Sequence, residues 1–196
     1  SIMNYTAVMG PPACVMSYAS LYNLTAALWN GTEYGSGVEH ASRLLQALPD
    51  TDLQLGLWLV GGLDDITDGF WDDAISELVQ FVRWAFPRKI YVRIGYEFDN
   101  PQNEYDPTLY KKAYARIADA LPENAVRVWH SWSFPETYGG HSYEEWWPGI
   151  DKVDFCGVSI FQQAYGDSPM GDLVTAKDIA RFCRDRKKPL MVAEST

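Results

Sequence analysis

The sequence predicts an α/β architecture, a (β/α)8 TIM barrel present as a fragment covering about strands 2 to 7. Six apolar, β-branched segments alternate with segments of helical periodicity. Their starts lie about 27 to 40 residues apart, the length of a βα unit with its loops. Near-continuous apolar strands in strict alternation with helices point to a parallel sheet covered by helices. An open dinucleotide-binding sheet would carry a glycine-rich turn after an early strand, and Gly61-Gly62 lacks that spacing. Barrels place their chemistry at the C-terminal ends of the strands. Here those ends carry Tyr18, Trp58, Glu97, Trp132, Phe161 and Glu194, all large, polar or aromatic.

In chain order, residues 4–9 read as the end of a helix, followed by strands over 13–18, 53–60, 90–97, 126–132, 153–161 and 190–194. The clearest helix is 70–86, where Trp71, Ile75, Leu78, Phe81, Val82 and Ala85 recur at helical spacing and Pro87 ends it. Another opens at Asp106-Pro107, an N-cap followed by proline at the first helical position. A third covers 172–184. Six strands do not close an eight-stranded barrel, so 1–196 is expected to be one catalytic barrel domain truncated at both ends. The two open sheet edges predict poor stability or association.

A chain of 196 residues, 47% hydrophobic, forms one domain with a substantial core. Its net charge of −10 excludes a nucleic-acid binder that neutralises phosphates with a basic face. No run is long and apolar enough to span a membrane. Three cysteines, Cys14, Cys156 and Cys183, have no metal-like spacing and are expected to be buried free thiols. Asp64, Asp65, Asp68, Asp72 and Asp73 do not match a calcium loop and suit helix starts by capping and dipole effects. The three histidines are scattered, so neither a metal nor an organic cofactor is expected.

Glu97 and Glu194 each close a short apolar strand, where a carboxylate costs free energy unless it has a purpose. Two carboxyls at matching strand ends are the minimum apparatus for cleaving a glycosidic bond. Alternation puts Arg93 and Gly95 on the face of Glu97, with Val92 and Ile94 toward the helices. A buried Arg93 would orient the carboxylates through charge-assisted hydrogen bonds. The same rule turns His130 and Trp132 inward, with Trp129 under the helices, and turns Phe155, Gly157, Ser159 and Phe161 inward on the next strand. Small residues there leave room. Trp58, Trp132, Trp147 and Tyr165 are candidates for stacking on sugar rings, whose C–H faces suit aromatic planes. The alternative is a non-catalytic carbohydrate-binding barrel, since fold does not fix function.

At Arg93-Ile94-Gly95-Tyr96-Glu97-Phe98-Asp99 the sequence resembles clan A retaining glycoside hydrolases, most closely family 26 and its β-mannanases. The likeness extends through Val128-Trp129-His130-Ser131, Trp146-Trp147-Pro148-Gly149, Gly157-Val158-Ser159-Ile160-Phe161 and Val192-Ala193-Glu194-Ser195. In that clan the acid/base ends the fourth strand and the nucleophile ends the seventh. The resemblance thus implies Glu97 as acid/base and Glu194 as nucleophile, three strands apart. It also implies a β-linked polysaccharide substrate, mannan-like hemicellulose favoured over xylan or glucan, and action outside the cytoplasm or in the periplasm. The residue before the acid/base is usually asparagine in the clan and histidine in family 26 mannanases. Here it is Tyr96, a candidate contact for the sugar near the scissile bond.

Overall fold

A computed structural model describes residues 2–33, 37–134, 140–161 and 175–195. Helix α1 (Ile2–Met9) leads into β1 (Cys14–Ser20), followed by a small hairpin of β2 (Thr32–Glu33) and β3 (Val38–Glu39). Then come α2 (Ala41–Ala47), β4 (Asp52–Trp58), α3 (Leu63–Asp68), α4 (Asp72–Trp84) and β5 (Ile90–Ile94). The chain continues with α5 (Pro107–Ala120), β6 (Ala125–Ser131), α6 (Tyr143–Trp146), β7 (Phe155–Ile160), α7 (Ala176–Asp185) and β8 (Leu190–Ser195). All six expected strands form, and they pair in parallel in the order β1-β4-β5-β6-β7-β8.

The sheet curls into a half-barrel. Gln54 on β4 reaches across the interior to donate to the Ala193 carbonyl on β8, 2.9 Å away. Arg93 on β5 touches both edge strands at once, through Met16 Sδ at 3.3 Å and Glu194. A flat sheet would hold those strands far apart, at about 4.8 Å per neighbouring pair. Gly56 on β4 permits the crowding: a Cβ there would lie 2.6 Å from the Tyr18 ring and 2.7 Å from Arg93 Nη2.

The convex face holds the hydrophobic core. Leu53, Leu55, Leu57, Ile90, Val92, Ile94 and Trp129 are buried there against the helices. Phe98 stacks on Trp129 with centroids 4.3 Å apart and planes at 18°. Full burial of each such side chain contributes about 1.5–3 kcal/mol. The concave face is polar instead. Gln54, Arg93, His130 and Ser159 are all buried on it, and groups of that kind persist inside a protein only when hydrogen-bonded.

Helix α5 starts as the sequence predicts, with the Asp106 carboxylate accepting from the Leu109 amide at 2.8 Å. The aspartates before it act by position rather than as caps. Asp64 and Asp65 lie in the first turn of α3, and Asp72 and Asp73 in that of α4, while the N-cap residues are Gly62 and Trp71. Asp72 also accepts two hydrogen bonds from Arg116 on α5, at 2.9 and 2.7 Å. The expectation for the cysteines is overturned. Cys156, on the helix side of β7, is joined to Cys183 on α7 by a disulfide, and Cys14 is exposed. The 27-residue separation carries no pairing signal, because only the docking of α7 on β7 brings the two sulfurs together.

Candidate active site

Both glutamates reach the concave face through irregular backbone. Strand β5 ends at Ile94, and Gly95 and Glu97 each adopt φ +55°. Gly95 does not face inward as strict alternation predicts. A Cβ on it would lie 2.9 Å from the Tyr110 ring and 3.2 Å from Leu59, so it backs onto the helix layer. The turn swings the Tyr96 ring inward, 5.6 Å from Tyr18 and 6.4 Å from His130. Asn103 Nδ2 secures the turn by donating to the Tyr96 and Glu97 carbonyls at 3.2 and 2.9 Å. A left-handed non-glycine residue costs conformational energy, and that cost is borne here by the surrounding hydrogen bonds.

On β8 the device is a bulge. Partners in a parallel ladder share a face. Cys156 pairs with Leu190 and Val158 with Val192, so Leu190 and Val192 point toward the helix side. Regular alternation would put Glu194 there too. The register slips between Val158 and Ser159, pairing Ser159 with Glu194, and the carboxylate turns inward.

One hydrogen-bonded chain then links the two carboxyls. Glu194 accepts from Nη1 of Arg93, which also contacts His130 Nδ1 at 3.3 Å. His130 Nε2 lies 3.0 Å from Ser159 Oγ, and Ser159 donates to Glu97 Oε1 at 2.6 Å. Asn100 Nδ2 donates to Glu97 Oε2 at 3.2 Å. The Arg93 guanidinium is fully buried and flanked by the Tyr18 and Tyr96 rings, each centroid 5.1 Å from Cζ.

Burial dominates the electrostatics of the site. Burial pushes Glu97 up to about 7, with the negative charges of Glu194 and Asp99 adding to the effect against the Ser159 and Asn100 hydrogen bonds. Burial and then Arg93 push His130 well below its ordinary value, so it is neutral. Tyr18 is pushed up to about 12, chiefly by burial, with Glu194 raising it and Arg93 opposing. Asp99 is the anchor beside the pair. It accepts from Ser131 Oγ at 2.6 Å and from the Trp132 and Phe134 amides at 2.5 and 2.9 Å, fixing the end of β6. Burial still pushes it up to about 6.

The comparisons with known proteins bear on this geometry. No family model matches the sequence. The whole chain aligns at 28% identity with "Beta-1,3-xylanase TXYA" of a Vibrio species and at 27% with "Beta-1,3-xylanase" of an Alcaligenes species. The chain is a relative of glycoside hydrolases. It spans 42% and 41% of the length of those two relatives. A solved structure, a GH26 β-mannanase from Bacteroides ovatus, superposes with a TM-score of 0.66 over 97% of this chain and 64% of that one. At 14% identity the superposition establishes the shared barrel fold.

Within this barrel framework the expected residues divide cleanly. Arg93, Tyr96, Glu97, His130 and Glu194 are brought together. Trp132 and Phe161 pack ring against ring at 5.3 Å, next to the Asp99 anchor. Trp58 is half-buried at the end of the row begun by Gln54 and Gly56. Trp147 is a correction. It packs edge-on to Trp129 at 4.9 Å and to Phe182 of α7 at 5.6 Å, with Arg186 over its ring. That is the helix side of the sheet, remote from the concave face, because Trp147 follows directly on α6. Tyr165, with 162–164, lies outside the described residues.

Sequence reasoning missed four contributors. By size alone Ser159 only leaves room, yet it holds Glu97. Tyr18 reads from the sequence as a strand end, yet its ring flanks Arg93. Asn100 and Asp99 gave no periodic signal, since both follow the last strand residue of β5. The inward register of Ser159 beside Glu194 would have flagged it, had the bulge been legible.

Proposed function

We propose that this chain carries the catalytic centre of a retaining glycoside hydrolase acting on β-linked polysaccharide, with Glu97 as acid/base and Glu194 as nucleophile. The observation that supports it best is the unequal treatment of two carboxyls on one face. Glu97 is desolvated and kept protonated near neutrality, while Glu194 is held against an arginine. In the first step Glu97 gives its proton to the glycosidic oxygen as the C1–O bond breaks. A Glu194 oxygen bonds to C1 from the opposite face. Water then attacks C1, returns a proton to Glu97 and releases Glu194, so the configuration is retained. Arg93 donates to Glu194 from the fully buried interior and holds the carboxylate in place on the concave face for attack. Tyr18, Tyr96, Trp58, Trp132 and Phe161 offer the aromatic surface around the sugars.

For the sugar, β-1,3-xylan is favoured over mannan. The sequence relatives are β-1,3-xylanases aligned over the full chain, and Tyr96 replaces the histidine of family 26 mannanases. We place the chain within a single catalytic barrel domain of a protein that works outside the cytoplasm. The Cys156–Cys183 disulfide supports that location, because disulfides persist in oxidising compartments. The test is incubation with β-1,3-xylan and with β-mannan, following reducing ends and the anomeric configuration of the first product by proton NMR. Release from xylan with retention is expected. Inversion would overturn the double displacement. Calorimetric binding with no reducing ends would overturn catalysis and leave a carbohydrate-binding barrel.

A further inference from the structure

The hydrogen-bond chain between the two glutamates runs in only one direction, and proton counting shows why. Arginine nitrogens are donors only. His130 Nδ1, 3.3 Å from Arg93 Nη1, must therefore accept and carry no proton. The ring is then the neutral tautomer protonated on Nε2, which donates to Ser159 Oγ at 3.0 Å. Ser159 is fully buried, and with its oxygen accepting from His130 its single hydrogen goes to Glu97 Oε1, 2.6 Å away. Oε1 is thereby an acceptor, and the carboxyl proton belongs on Oε2. The Asn100 amide has a fixed orientation as well, because its Oδ1 accepts from the Gln102 amide at 3.0 Å, leaving Nδ2 to donate to Oε2.

We propose that Arg93, His130 and Ser159 form a one-way relay that fixes Oε2 of Glu97 as the oxygen delivering the proton to the leaving group. This rests on Glu97 being the acid. His130 and Ser159 are then positioning residues that act through Glu97, and both are buried away from solvent. The charged and titratable groups around Glu97 are Glu194 on β8, Asp99 beyond β5, Arg93 on β5 and His130 on β6, with Tyr18 and Tyr96 bordering Arg93. Of the hydrogen bonds, Ser159 favours the ionised form most strongly. Losing it therefore raises the titration midpoint of Glu97 and frees both oxygens to compete for the proton.

The experiment is a pH titration of Glu97 by carbon NMR on the full chain with labelled glutamate, read by difference against Glu97→Gln. Ser159→Ala should raise the midpoint by about one pH unit, the worth of one hydrogen bond to a charged group. Ser133→Ala removes a neighbouring buried hydroxyl that donates to the Ser159 carbonyl at 3.2 Å, and should leave the midpoint in place. An unmoved midpoint in Ser159→Ala would overturn the relay. Nitrogen NMR of His130 in the unaltered chain gives a second reading that needs no variant: a proton on Nε2 supports the relay, and one on Nδ1 overturns it. Neither readout needs substrate. A shifted midpoint in a chain that cleaves no polysaccharide would sustain the hydrogen-bond chain from Arg93 to Glu97, and overturn both the hydrolase assignment and the delivery of that proton to a leaving group.

Discussion

Glu97 and Glu194 carry the same functional group at the ends of strands in one sheet, and the molecule surrounds them differently. Glu97 is 7% exposed and held by a serine hydroxyl and an asparagine amide, both neutral. The Glu194 side chain is 17% exposed and rests on a guanidinium that is itself fully buried. The two neutral donors do not outweigh burial here, so Glu97 holds its proton to about 7. Glu194 instead faces a full positive charge, the arrangement expected of the anionic partner under the proposed mechanism. Identity of residue thus says little about role, and the pairing partner decides it.

Exchanging or removing the partners tests that contrast most severely at Glu194. Glu194→Ala should lower turnover by roughly 10⁴-fold or more. Added azide should restore a product of inverted configuration, since it attacks from the vacated side. Retained configuration there would exchange the two roles. Glu97→Gln should lower turnover on polysaccharide by about 10²–10⁴-fold, and much less on aryl glycosides whose leaving group needs no proton. Equal losses on both substrates would remove Glu97 from the acid role.

Arg93→Met comes next. It strands Glu194 without its counter-charge, and chemical denaturation should show a loss of about 3 kcal/mol. In an Arg93→Met, Glu194→Gln double variant most of that loss should return, because no unpaired charge remains. If it does not, the pair contributes packing rather than charge compensation.

The smallest effect is on stability against pH, and its sign is the sharpest check on Glu97. Its folded value of about 7 lies above the ordinary 4.5. Across that window the unfolded chain releases a proton that the folded chain keeps. Stability therefore falls as pH rises, and the deficit is complete above about 7. Glu97→Gln cannot ionise, so it should be more stable than the native chain by about 1–3 kcal/mol at about pH 8, with the gain vanishing below about pH 4.5. Denaturant midpoints at the two pH values measure it. The reverse order would mean that Glu97 is stabilised as the anion.

Much of this was legible in the chain. Periodicity located every strand of the half-barrel, the α5 cap at Asp106 and the burial of Trp129 beneath helices. Alternation placed His130 on the concave face and Arg93 beside the glutamates. What was not legible depended on non-local contacts or broken periodicity. The cysteine pairing required α7 to dock on β7. Trp147 reads from the sequence as a sugar platform because its aromatic neighbours, Trp129 and Phe182, are distant in sequence.

The sequence by itself determined the βα alternation, the polar interior row and the two strand-ending glutamates, because these follow from local hydrophobic period and residue type. Only the tertiary structure decided where those glutamates point. A regular β8 would send Glu194 toward the helices with Val192, and a regular β5 would keep Tyr96 there as well. A bulge opposite Ser159 and a left-handed turn at Gly95 reverse both. Each is a departure from the two-residue period of a strand, so no pattern with that period can predict it.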